Sequence, residues 1–158
     1  MSKLKAVMDK VLSAICAIMF SLMTILAVYQ VGTRYVFKNP SSWSEELLTY
    51  SFAWLGMLAA TLVFGERDHM RLSYFADKVK GKNATVLAIV SEVVILIFTV
   101  LVLIWGGISI VNLTMTQVTA ALAIPMGYVY SVMPISGILI AIYCVINIAN
   151  LAAQLKTR

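Results

Sequence analysis

Along the chain, long apolar runs alternate with short polar ones. Uncharged runs cover residues 11–33, between Lys10 and Arg34, and 47–65, between Glu46 and Glu66. Between Lys82 and Lys156 a single charge remains, Glu92. A bilayer core is about 30 Å thick and a spanning helix needs roughly 20 apolar residues. The last stretch therefore has room for two spans, with Glu92 inside the first of them. The pattern predicts an all-α protein: one domain over residues 1–158, an integral membrane bundle of four transmembrane helices. The expected spans are 11–37, 43–65, 84–113 and 128–155.

The connections have patterns of their own. Asn39-Pro40 makes a turn, because the residue before proline is pushed out of the helical region. Ser42-Trp43-Ser44-Glu45 fits a capping box at the start of span two, so spans one and two are expected as a tight antiparallel pair. Leu72, Phe75, Ala76 and Val79 recur at the spacing of one helical face, while Arg71, Asp77, Lys78 and Lys80 fall elsewhere. This predicts a short amphipathic helix over residues 69–80, lying at the membrane surface with basic groups near lipid head groups. Residues 114–127 are uncharged; Pro125 and Gly127 mark the break before span four, which contains Pro134.

Composition agrees with this layout. The 158 residues are 61% hydrophobic, and the mean hydropathy of +0.94 leaves no room for a soluble domain. The net charge of +5 sits in short loops and at the ends, which is a topology signal rather than a nucleic-acid footprint. Lys3, Lys5 and Lys10 precede span one, Arg67, Arg71, Lys78, Lys80 and Lys82 lie between spans two and three, and Lys156 and Arg158 follow span four. Only Arg34 and Lys38 fall on the other side, so both termini and the middle loop are expected in the cytoplasm. The first apolar run exceeds the roughly 7–15 residues of a signal core, so span one is expected as a retained helix. Cys16 and Cys144 both fall inside spans, where a free cysteine acts as a small apolar residue. One His and two Cys argue against a zinc site, and a single His against a haem anchor; no cofactor is expected.

Each polar candidate has a functional and a structural reading. Glu92 lies about two turns into span three. An ionisable intramembrane residue is a candidate proton or cation site, but its shallow depth favours pairing with a loop Lys or Arg, or with a hydroxyl or amide on a neighbouring helix. Arg34, Glu45 and Glu46 cluster at the outer ends of spans one and two, as an ion gate or docking site, or as a cap and a hairpin pair. Trp43, Tyr35, Tyr128 and Tyr130 suit the outer interface. Tyr50, Trp54, Met57, Thr61 and Phe64 extend the stripe of Glu46 along span two, which reads as a lipid-facing or partner-facing stripe. Gly56 and Ala60, Gly137 and Ala141, and Gly106-Gly107 mark close helix approaches, and Asn147 and Asn150 are placed to bond across helices. His69 sits at the cytoplasmic exit of span two, as a pH sensor or a solvated cap.

Arg34-Tyr35-Val36-Phe37, Trp43-Ser44-Glu45-Glu46-Leu47, Tyr50, Trp54-Leu55-Gly56 and Arg67-Asp68-His69-Met70-Arg71 together resemble the small membrane subunit of tripartite ATP-independent periplasmic (TRAP) transporters, the DctQ-like or Q subunit. The motifs cover about residues 34–77, and the four-span layout matches over the whole chain. The resemblance implies a non-catalytic subunit in a bacterial inner membrane. It would enlarge and anchor the static part of a large, sodium-coupled, elevator-type membrane subunit. A soluble periplasmic protein would capture an organic acid, such as a dicarboxylate or a sialic acid. Its partners would be that large subunit, the periplasmic protein through the complex, and lipids. The alternative is a self-sufficient proton-coupled exporter with Glu92 as the carrier. A third reading, a structural or redox tetraspan, lacks outer-loop cysteines.

Overall fold

The computed structural model describes residues 2–66 and 82–156. Within them, four helices are long and apolar enough to cross a membrane: Lys3–Tyr35, Ser42–Gly65, Thr85–Thr114 and Met126–Ala153. The amphipathic helix expected over residues 69–80, and His69 with it, lie outside the described residues.

The first helix, Ser2–Tyr35, begins well before residue 11, where the apolar run starts. Nothing in Lys3 to Lys10 breaks a helix, and Met8 packs against the core around Leu12. The helix ends where Lys38 adopts a left-handed conformation (φ 52°) and the Asn39 N–H turns back to Thr33 O at 3.1 Å. The second helix, Ser42–Glu66, starts one residue earlier than the capping box requires. Ser41 rather than Ser42 holds the flanking position. Its carbonyl accepts the first helical bond, from Glu45 N, and also the Ser44 hydroxyl at 2.9 Å.

The third span changes geometry along its length. It is α-helical over Lys82–Phe98, a π-helix over Thr99–Gly106, and α-helical again over Gly107–Thr114. The fourth is interrupted at Ser131, between Met126–Tyr130 and Val132–Lys156. Pro134 has no N–H to offer Tyr130 O, so a regular ladder cannot run through.

The first two helices pair with each other, and the fourth lies against both the second and the third. In the fourth span 44% of the most apolar window is buried, against 6%, 11% and 6% in the first three. The fourth helix is therefore the axis of the bundle. Its contact with the third depends on missing side chains: a Cβ on Gly107 would sit 2.9 Å from Pro134 Cδ, and one on Gly137 2.9 Å from Leu103 Cβ. Gly56 behaves differently. It is exposed, and a Cβ there would meet nothing within 4 Å, so within this chain it marks no helix crossing.

Candidate functional site

At the end of the bundle away from both termini, here called outer, the chain from Thr114 to Met126 folds back on itself. Thr119 N donates to Ile124 O, Ile124 N to Thr119 Oγ1, and Met126 N to Gln117 O, at 2.8–3.1 Å. Ala123 takes a left-handed conformation (φ 53°) to close the turn. Three consecutive loop amides, those of Ala120, Ala121 and Leu122, are left to bond elsewhere. All three donate to the carboxylate of Glu46 on the second helix, at 3.1, 2.7 and 2.8 Å. The Tyr50 hydroxyl adds a fourth bond at 2.7 Å. Successive amides form an anion-binding nest, and an ionised carboxylate is purely an acceptor. The chemistry of the two sides matches.

One turn further along, Trp54 Nε1 donates to Val129 O at 3.0 Å, just before Pro134. Glu46, Tyr50 and Trp54 recur every fourth residue, so a single face of the second helix holds the outer loop and the start of the fourth helix. At these three positions this corrects the expectation of a lipid-facing stripe. Its continuation, Thr61, is fully buried and bonds back to Met57 O.

The expected cluster of Arg34, Glu45 and Glu46 is not assembled. Glu46 turns to the loop, whereas Arg34 and Glu45 are exposed. Trp43 leans on Tyr29, with ring centroids 5.8 Å apart. Tyr29, Phe37, Ser41, Trp43 and Ala121 line an open concavity of about 780 Å³ between the hairpin and the outer loop.

Two further carboxylates cross-link the other half of the bundle. Asn147, almost fully buried, donates to Glu92 Oε1 at 3.1 Å, tying the fourth helix to the third. The Tyr143 hydroxyl donates to Asp9 Oδ1 at 2.6 Å, tying the fourth helix to the first. Gly65 makes this second link feasible, since a Cβ there would lie 2.8 Å from the Tyr143 ring. Sequence reasoning missed Asp9, Gly65 and Tyr143. Tyr143 carried a signal, because a tyrosine packed between helices buries a hydroxyl that needs a hydrogen-bond partner. Among the described residues no group of His, Cys, Asp and Glu is placed to hold a metal ion.

Each of these carboxylates joins two separate parts of the chain. Glu46 fastens the outer loop, while Asp9 and Glu92 tie the fourth helix to the first and the third. The arrangement is suited to holding helices in fixed relation.

The chain matches the family model described as tripartite ATP-independent periplasmic transporters, DctQ component, over residues 23–154. It is 28% identical over 141 residues to a Haemophilus influenzae protein assigned as a TRAP transporter small permease, covering 89% of this chain and 87% of that one. It is 29% identical over 80 residues to the sialic acid TRAP transporter small permease protein SiaQ of Vibrio cholerae, covering 51% of this chain and 46% of the relative. It is also 25% identical over 138 residues to the isethionate TRAP transporter permease protein DctMQ of Oleidesulfovibrio alaskensis. That match takes in 85% of this chain but 21% of the longer protein.

Proposed function

The chain belongs to the DctQ family of TRAP transporters, as a multi-pass, non-catalytic small permease subunit, and from that premise we propose that it is the scaffold of a sodium-coupled uptake system for an organic acid. It sits in a bacterial inner membrane with both termini in the cytoplasm. It anchors a large elevator-type membrane subunit, while a periplasmic protein delivers the substrate to the complex. Lipids cover the remaining apolar surface.

The observation that carries this reading is the use of the carboxylates. A carrier needs polar groups that exchange partners during transport. Here Asp9, Glu46 and Glu92 bond to other elements of the same chain, as a static support requires. The long relative supports the partnership, since a segment similar to this chain occupies about a fifth of a single permease polypeptide. The substrate class follows the names of the relatives: sialic acid and isethionate are both organic acids.

The test is a tagged pull-down from native membranes in mild detergent, with co-purifying proteins identified by mass spectrometry. Stoichiometric recovery of one large polytopic membrane protein is expected. Recovery of this chain alone as a stable homodimer would sink the scaffold reading. Replacing Glu92 with Gln would then test the exporter: transport lost with assembly intact makes Glu92 a carrier.

A further inference from the structure

We infer that Glu46 is a positioning residue that sets the shape of the chain's outer face: its ionised carboxylate holds loop 115–125 onto the second helix, and the loop takes its fixed form from that contact. The inference deepens the scaffold reading and rests on it for its functional consequence, that the outer loop moves as part of the static unit.

The loop has little else to hold it. It carries no charge. Thr119 is buried and Leu122 and Pro125 are half-buried, but Val118 is 61% exposed and Ile124 39%, so apolar burial there is limited. The loop's own bonds engage the amides of Gln117, Thr119, Ile124 and the adjoining Met126. The three amides between them are satisfied by one carboxylate, contributed by a residue more than 70 positions earlier. Ala121, bonded to Glu46 at 2.7 Å, is also the loop's contribution to the concavity beside Trp43. The position of that wall therefore depends on Glu46.

Charge is the essential property. Bonds to an ionised acceptor are roughly twice as strong as neutral ones. A protonated carboxyl becomes a donor on one oxygen, and a donor facing N–H groups repels them. Gln in the same place keeps one acceptor oxygen and turns an NH2 group toward the amides. The other titratable groups near this site are Tyr50, on the same helix, and Tyr130, at the start of the fourth. The loop itself offers none. Glu45 lies next in sequence but is exposed.

Hydrogen exchange resolved by mass spectrometry, on the full chain in its native complex in lipid nanodiscs, tests this. In the unaltered protein the amides of residues 120–122 are expected to be protected at neutral pH and to lose protection on acidification, after correction for intrinsic rates. Glu46→Gln should raise their exchange about tenfold or more and abolish the pH dependence, with the four spans still protected. Glu46→Asp, which keeps the charge on a shorter stem, should restore part of both. Equal protection in the unaltered and Gln proteins at all pH values would overturn the inference. So would loss of protection throughout the spans, which would make Glu46 a general determinant of folding. Recovery of a large membrane partner with the unaltered chain is scored separately, so failure of the scaffold reading is distinguishable from failure of the latch.

Discussion

The third and fourth spans both consist of long apolar helices, yet 6% of one and 44% of the other is buried in its most apolar window. Their difference lies in what interrupts the apolar residues. The third span presents Val90, Val94, Ile97 and Leu101 outward, all more than half exposed. The fourth buries Ser136, Gly137, Tyr143, Cys144 and Asn147 among Val132, Ile140, Ile146 and Leu151. Lipid tails are as apolar as leucine, so association in a bilayer comes from close packing and interhelical hydrogen bonds. Small and polar residues interleaved with apolar ones, rather than apolarity alone, select the helix at the centre.

Substitutions can break this contrast, and the largest effect is expected at Gly137. Gly137→Leu places a side chain where Leu103 and Ile104 already stand within 3 Å of a Cβ. Overpacking typically costs about 1–3 kcal/mol, occasionally more, and here the expected outcome is loss of a monodisperse thermal transition in detergent. Leu at Val94 in the third helix is the matched control and should leave the transition in place. A Gly137→Leu protein as stable as that control would refute the idea that the fourth helix is set by close approach.

Tyr143→Phe comes next. It keeps the ring and removes the donor to Asp9, leaving a carboxylate oxygen without its partner. Such a loss costs about 1–3 kcal/mol, read as a lowered midpoint of thermal unfolding. Adding Asp9→Asn should then cost little more, because the bond is already gone; full additivity would mean that the two side chains do not act as a pair.

Trp54→Phe sharpens the comparison at the outer end. It removes the N–H bonded to Val129 O and keeps most of the packing, for a cost of about 1 kcal/mol. Asn147→Leu should cost still less, about 0.6 kcal/mol by the average for such bonds in a bilayer. A shift there as large as that of Tyr143→Phe would show that the contact with Glu92 is a main support of the bundle. At the bottom of the scale, Val94→Ala, at an exposed position of the third helix, should stay within about 0.5 kcal/mol of the parent.

Much of this was legible along the chain. Long apolar runs with Glu92 as their single internal charge, the last run divided by Ile124-Pro125-Met126-Gly127, fix four spans, because a charge or an unsatisfied backbone is costly in hydrocarbon. Gly107 and Gly137 were readable as close approaches. The motifs from Arg34 through Gly56 pointed to the family that the comparisons show. The start of the first helix was not legible, because Lys and Asp are compatible with helix and hydropathy marks only the part inside the bilayer. Nor was the direction of the Glu46 stripe. Glu46, Tyr50 and Trp54 spaced by four define a face but not what it meets.

The sequence by itself determined the number of membrane-length helices and, at Gly107 and Gly137, the positions thin enough for helices to touch. These follow from local composition and from the period of a helix. The tertiary structure decided which helix became the axis, that Glu46 would bond to the loop rather than to Arg34, and that Asp9 would meet Tyr143. Those pairings join residues 74 to 134 positions apart. Hydrogen bonds of that kind depend on distance and angle in space, and four helices of similar apolarity leave both open until they are packed.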